Sequence, residues 1–420
     1  VGSGFNAETL DDLAARLEAI TSPDCPFQTV PETKEAAHWV EPKLVARIQF
    51  GSWTPDRVLR HPVYLSLRSD LDPADCIQPS VAEETPKPQA RRARAQPAIS
   101  TFKELEAELF KGKRETVVAE IGGKPVRLTH MDKIYFPEPG YTKRDILAYY
   151  YRVADRILPF LENRPLVLRR FPNGIESQSF YQKDAGEGVP EWMDTVVIPS
   201  EGVGRDIRYF VCNDLAALLH LVNLGAIEQH PWPSRIDDLE KPDYVFFDLD
   251  PTEGSEFSTV VRVARAILKQ LERMQLHAFL KTSGSRGMHL WLPLEREYTF
   301  EQARAFAEIV ARLIHSELPK ETTLERSVDK RPRGSISLDY SQNAYGKPLA
   351  TVYSVRPRPQ ATVSAPLTAR ELTKSLTPEE YTIRTLPASL ARRRKDPWTD
   401  FWKSRQRIES ALETLRDKLE

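Results

Sequence analysis

The run DYVFFDLDP at residues 243–251 constrains this chain more than any other segment. Tyr244, Val245, Phe246 and Phe247 make an apolar, aromatic platform that reads as a buried strand, and Asp248 and Asp250 follow at once. Strand side chains alternate with a period of two, so the two aspartates share a face while Leu249 points the other way. A rigid platform that holds two carboxylates together also holds their repulsion. A divalent cation removes it, and hard oxygen ligands suit magnesium or manganese, the ions that carry nucleotide phosphates. Asp339 ends a second apolar strand in GSISLDYSQN, 334–343, and is placed to complete the site from a neighbouring strand. An aspartate-rich surface turn is the plain alternative for the pair alone.

The segment KTSGSRGMH, 281–289, adds the complementary charge. Gly284 and Gly287 let backbone approach a ligand closely, while Ser283, Ser285, Arg286 and His289 offer donors for a triphosphate opposite the metal. It has no Walker spacing. Acids, metal and basic donors around the same phosphates fit nucleotidyl transfer to a 3'-hydroxyl with release of pyrophosphate. A glycine-rich hairpin without chemistry is the simpler reading of the segment in isolation.

Around these motifs, apolar residues recur every three or four positions at 142–160, 213–226, 256–275 and 299–317, which predicts helices, with another at 100–110. The strand pair TVVAEIGGKPVRLTH turns on a Gly-Gly dipeptide. Strand, helix, strand, strand is the order of an α/β sheet with helices on one or both faces. The length of 420 residues implies two or three domains, and 40% apolar residues with no long uninterrupted apolar run predict no membrane span. Three scattered cysteines form no metal-ligand spacing and point to a reduced, cytoplasmic setting. Lys plus Arg number 59 and Asp plus Glu 60, so overall charge carries no sign of nucleic-acid binding, although a basic groove on a balanced surface remains compatible with it. Residues 1–75 read as a helix at 7–19 followed by short strands, 76–98 as a Pro/Arg-rich linker, and 99–420 as one large domain. In the tail, Phe401, Ile408, Leu412 and Leu415 predict a helix over 399–419.

DYVFFDLDP, KTSGSRGMH and ISLDYSQN, in this order and spacing, resemble the polymerase domain of bacterial DNA ligase D, in the archaeo-eukaryotic primase superfamily. The resemblance covers about 115–395 and implies an α/β primase-like catalytic domain. It implies Asp248, Asp250 and Asp339 as catalytic ligands of Mn2+ or Mg2+, and a nucleoside triphosphate as substrate. Ser283, Arg286, His289, Gln342 and Arg356 would contact the incoming nucleotide, with His230 of AIEQHPW beside them. Arg286 stands where the family often has lysine, which keeps the charge and alters its geometry.

The resemblance also implies how DNA is met. Lys133 and Lys143 would hold a downstream 5'-phosphate, as mobile cations beside Tyr135–Phe136 and at a helix start. Phe180 and Tyr181 would stack on template bases, one of the pair facing the core and the other a base. Arg169 and Arg170 would add phosphate or nucleotide contacts. GSGF, AHWVEPKLVARIQF and WTPDRVLRHPVYLSLRSD resemble the end of an ATP-dependent ligase, a partial OB-fold β-barrel. Arg68 matches the arginine of the last ligase motif and Leu71 replaces its usual lysine. An adenylation domain would lie before residue 1, so the polypeptide alone is expected not to ligate. The implied partners are gapped or broken duplex DNA, nucleoside triphosphates and the end-binding protein Ku, in a bacterial cytoplasm at the nucleoid, during non-homologous end joining. Two other readings of the residues are a metal-dependent nuclease and a non-catalytic DNA-end bridge.

Overall fold

A computed structural model describes residues 7–27, 37–49, 52–53, 59–60, 62–68, 71–73, 76, 99, 101–186, 188–200 and 204–411. The chain divides into two compact units, 1–94 and 95–420. Most of the expected linker lies outside the described residues.

In the first unit, the helix Ala7–Glu18 carries an Asp12–Arg16 ion pair one turn apart. Antiparallel pairs join Ala46–Gln49 to Val63–Leu67, Ser52–Trp53 to Leu59–Arg60, and Thr21–Ser22 to Trp39–Val40. Tyr64 is the buried apolar residue among its described side chains. Trp39 meets the Phe27 ring edge-on at 6.1 Å, and Leu71 is exposed. Phe50 lies outside the described residues.

The second unit is built on two sheets. The larger runs Thr322–Thr323, Ile336–Leu338, Tyr244–Pro251, Met288–Pro293, Phe279–Thr282, Pro366–Leu367, antiparallel except for its first pair. Tyr244–Pro251 is central, and Tyr244, Val245, Phe246, Phe247 and Leu249 are all buried. The helices Phe257–Arg273 and Phe300–Glu317 pack against it. Thr299 and Gln302 close a capping box that fixes where the second helix starts.

The other sheet is centred on Pro165–Arg170, which pairs with Ala226–Pro231 on one side and with Phe180–Gln182 and Arg205–Val211 on the other; Thr195–Ser200 extends it. One sheet was expected from the strand order, and this second one is the main departure. Its strands mix apolar residues with Arg, Asp, Glu, Gln, His and Pro, as in Arg205–Val211 and Ala226–Pro231, so none reads as a continuous apolar run like Tyr244–Phe247. The helix Lys143–Leu161, started by a Thr142–Asp145 capping box, packs against the helix Leu215–Asn223 and the strand Ala226–Pro231. The Gly-Gly turn behaves as expected: Val117–Ile121 and Lys124–Leu128 are joined by Gly122 and Gly123 with φ of 58° and 76°, the positive values a two-residue hairpin turn requires.

The tail departs from its expected helix. Phe401–Lys403 is a single 3-10 turn, Gln406 bridges to Leu294, and helix begins only at 409, with the rest outside the described residues. Trp398 and Phe401 stack at 5.1 Å and press on Trp291, and Gln406 exchanges hydrogen bonds with the backbone of Pro293 and Glu295. Burial of those rings overrides a weak helical stripe. No helix among the described residues is long and apolar enough to cross a membrane.

Candidate active site

The sheet register gathers the acids. Along the central strand Asp248 lies opposite His289 and Asp250 opposite Ser337. Asp339 directly follows Ile336–Leu338, and its N–H donates to the Asp248 carbonyl at 3.2 Å. Its carboxylate folds back onto its own turn: Oδ1 accepts from the Ser341 N–H (3.0 Å) and hydroxyl (2.5 Å), and Oδ2 from Gln342 Nε2 (3.2 Å). Gln342, expected on the nucleotide, is engaged with Asp339.

Asp248 is buried and Asp250 exposed. Burial, then the charge of Asp339, pushes the Asp248 carboxyl up to about 7. The Asp250 carboxyl is raised as well, first by the charge of Asp248 and then by desolvation. Asp248 Oδ1 is buried without a hydrogen bond, 3.2 Å from His289 Nε2 but off the angle of one. Crowded anions and an orphaned carboxylate oxygen fit a hard cation. Among the described residues no group of three or more His, Cys, Asp or Glu is arranged to hold a metal ion. The donors are present: the Asp339 carboxylate is held by Ser341 and Gln342 of its own turn, and its charge is felt at both Asp248 and Asp250.

The 283–287 loop faces these acids. Ser283 Oγ accepts from the N–H groups of Ser285 and Gly287, both at 3.1 Å, which leaves its own proton to donate. A Cβ on Gly287 would sit 2.1 Å from the Leu249 carbonyl oxygen. Gly284 has φ +70°, and a Cβ there would lie 2.6 Å from Arg356 Cγ. Both glycines are therefore required for the loop to lie against the strand that carries the acids and against Arg356. Arg286 is exposed; Arg358, whose guanidinium is lowered by burial and then by the charges of Arg286 and Arg356, donates to Ser285 Oγ at 2.9 Å.

Glu228 organises the opposite wall. It is 1% exposed and accepts from Arg356 Nε (2.7 Å) and Arg169 Nη1 (3.3 Å), with His230 Nε2 at 3.7 Å. Burial works against its charge, but His230, Arg356 and Arg169 outweigh it and hold the carboxyl down at about 2. Arg356 also donates to the Ser283 carbonyl at 2.6 Å, tying this wall to the loop. Glu228 was not singled out from the sequence, although its place two residues before His230 on a strand was the available signal. Lys281 was also missed: it is fully buried and bonded to His289 Nδ1 at 2.7 Å. Arg331, another residue not anticipated, bears electrostatically on both Asp248 and Asp250.

Arg169 lies in register between Tyr181 and Glu228, with its guanidinium 5.6 Å from the Tyr181 ring centre. Tyr181 also meets the His230 ring at 6.5 Å. Phe180 and Tyr181 are 44% and 64% exposed, which corrects the expectation that one of them enters the core. They sit on a three-residue strand at the sheet edge, where neither face is covered. Arg170 is turned inward, donating to the Leu224 carbonyl (2.8 Å) and Gln182 Oε1 (3.1 Å), so it has a structural role rather than the expected phosphate contact. Lys143 also departs from a mobile surface cation. It is buried, and Nζ donates to the Thr129 carbonyl (2.9 Å), the Asn223 carbonyl (2.8 Å) and Asn223 Oδ1 (3.2 Å). Lys133 donates to Asn173 Oδ1 at 2.7 Å at the same corner, its carbonyl accepting from the Lys143 N–H.

These sheets define a mixed α/β catalytic domain of the primase-polymerase type, preceded by a small unit consistent with an OB-like fold. Residues 142–398 match the family described as "LigD, primase-polymerase domain", and residues 1–71 match "ATP dependent DNA ligase C terminal region". The chain belongs to the LigD primase-polymerase family. It is 30% identical over 419 residues to the "Multifunctional non-homologous end joining protein LigD" of Pseudomonas aeruginosa, covering 98% of this chain and 46% of that protein. It is 33% identical over 288 residues to the "Bifunctional non-homologous end joining protein LigD" of Bacillus subtilis, covering 67% of this chain and 46% of that one. The chain thus spans about half the length of the curated relatives it matches. A solved structure, "Polymerase Domain from Mycobacterium tuberculosis Ligase D in complex with DNA", aligns with a TM-score of 0.62 at 28% identity, over 66% of this chain and 98% of that one.

Proposed function

We propose that residues 95–420 form a template-directed nucleotidyltransferase that adds ribo- or deoxynucleotides to a 3'-hydroxyl at gaps and broken DNA ends in non-homologous end joining. The observation that carries this reading is the meeting of Asp248, Asp250 and Asp339 with the Ser283–His289 loop, while Arg356 and His230 stand on the far wall. Mg2+ or Mn2+ held by Asp248, Asp250 and Asp339 would neutralise the acids and polarise the phosphate under attack. Ser283, Arg286, His289 and Arg356 supply donors that orient the triphosphate, and Gln342 steadies Asp339. Tyr181 and Phe180 offer open aromatic faces to unpaired template bases, with Arg169 behind Tyr181. The corner of Lys133 and Asn173 is read as the place of the downstream 5'-phosphate, with the buried Lys143 adding only its charge from behind. Further partners on this reading are nucleoside triphosphates and Ku, and the setting is the bacterial cytoplasm at the nucleoid.

The test is primer extension on gapped duplex, with and without a 5'-phosphate, comparing ribo- and deoxynucleotides with Mn2+ or Mg2+. Extension by the intact chain, lost in a folded Asp248→Ala/Asp250→Ala variant, is expected. Shortened strands in place of extended ones would make the protein a nuclease. Extension retained without the two acids would remove them from the chemistry.

A further inference from the structure

Away from the acids, the helix Phe102–Lys111 packs on Lys143–Leu161, and beside that contact lies a cavity of about 270 Å3. One face of the longer helix makes its floor. Asp145, Ala148, Tyr149 and Arg152 recur there every three or four residues, the spacing that stacks side chains one above another. Leu109 and Phe110 come from the shorter helix, Tyr141 from the strand before the longer one, and Ile383 and Arg384 from far along the chain. None of the residues of the candidate active site, or of the Lys133–Asn173 corner, lines it.

Two guanidiniums border this cavity without an acid to balance them. Arg152 lies over the Phe110 ring, 4.0 Å from its centre, and Arg384 over the Tyr141 ring at 5.2 Å. Among the described residues neither has a carboxylate within ion-pair distance. Other arginines on the same segments are paired: Arg144 with Glu108 and Asp132, Arg156 with Asp396, and Arg393 with Glu371. Asp145, the acid of the lining, is committed to the helix start, where Oδ2 accepts from the Thr142 N–H and hydroxyl, both at 2.8 Å. The Tyr149 phenol is committed as well, donating to the Tyr353 carbonyl at 2.7 Å. That leaves two guanidiniums and the phenol of half-buried Tyr141 as donors towards a ligand.

Guanidinium faces stack on aromatic rings while their in-plane N–H forks match phosphate oxygens. A phosphomonoester carries about −1.5 to −2 charges at neutral pH and so suits two guanidiniums. Leu109, Ala148 and Ile383 add an apolar wall. The volume lies just below the roughly 300 Å3 at which pockets for drug-sized ligands begin, so the occupant is a single small molecule. Glu106 and Asp155 stand beside Tyr151 on the same two helices, and a nucleic-acid backbone drawn across this surface would meet like charge. We infer that the cavity is a site for a free nucleoside 5'-monophosphate, its phosphate on Arg152 and Arg384 and its base on the apolar wall. The inference does not depend on the chemistry proposed at the acids.

The experiment is calorimetric titration of the full chain, without divalent metal, with AMP, with adenosine, and with a single-stranded oligonucleotide carrying a 5'-phosphate. AMP should bind, and adenosine should bind at least about tenfold more weakly, the scale of one charge-assisted hydrogen bond. Arg152→Gln and Arg384→Gln should each weaken AMP by a similar factor. Both side chains are exposed, so an unchanged urea midpoint is expected, and nucleoside triphosphate binding at the acids should persist in both variants. Absence of AMP binding by the wild-type chain overturns the inference, as does adenosine binding as tightly as AMP. So does AMP affinity that survives in the folded Arg152→Gln/Arg384→Gln double variant. If only the oligonucleotide depends on the two arginines, the cavity belongs to a DNA surface and the free nucleotide is excluded.

Discussion

Single residues in this site carry charge under conditions that oppose it. Asp248 has its carboxyl raised from an ordinary 3.8 to about 7, so between those values the unfolded chain ionises and the folded one does not. Stability of the metal-free protein therefore falls as pH rises through this window, and the deficit is complete above about pH 7. Asp248→Asn should stabilise the metal-free protein by about 2–4 kcal/mol at pH 8 and by little at pH 4, read from urea denaturation at the two pH values. Glu228 has the opposite sign. Its carboxyl is held at about 2 against an ordinary 4.5, so its contribution is complete above pH 4.5 and is lost as pH falls towards 2. Glu228→Gln should cost about 3 kcal/mol at pH 7, with the gap to wild type narrowing below pH 4 in the same assay. The acid pair and the loop donors were legible in the sequence because strand alternation and residue type suffice to read them. Glu228 and Lys281 were not, since their importance lies in Arg356 and Ser364, partners more than eighty residues away in sequence.

At the scale of elements, the site depends on how closely a loop can lie on a strand. Gly287 is where the hairpin touches the Leu249 backbone, and a methyl group there meets a carbonyl oxygen that cannot move without shifting Asp248 and Asp250. Gly287→Ala should cost about 1–3 kcal/mol in chemical denaturation and abolish extension activity, as an overpacked contact forces strand and loop apart. The retention of full activity would mean the loop does not set the acids. Helices with a clear apolar stripe and caps, such as Lys143–Leu161 and Phe300–Glu317, lie within a few residues of where the periodicity puts them. The tail fails the same reading because Trp398 and Phe401 find an aromatic cluster that no local pattern reveals. The second sheet fails it because its strands gain their burial from partners that local spacing does not show, helices on one face and the cluster of Val167, Ile198, Ile207, Tyr209 and Trp232 on the other.

For the whole molecule, the division at residue 94 separates a large core from a unit whose described residues bury little beyond Tyr64. A small unit of that kind has little hydrophobic stabilisation of its own. Calorimetry of the full chain should show two transitions, the weaker one disappearing on removal of residues 1–94, while nucleotide addition persists in 95–420. One cooperative transition would refute the independence of the units. The sequence by itself determined the acid-bearing strand, the glycine loop, the main helices and the family, because each depends on residue type at short, regular spacing. Only the tertiary structure decided which charges are available for chemistry. Lys143 and Arg170 are cations whose donors are taken by internal carbonyls and side-chain oxygens, whereas Tyr181, Arg169 and Glu228 form one row across three strands. Whether a side chain faces a ligand or the interior is set by the register of strands distant in sequence, and spacing along the chain does not encode that register.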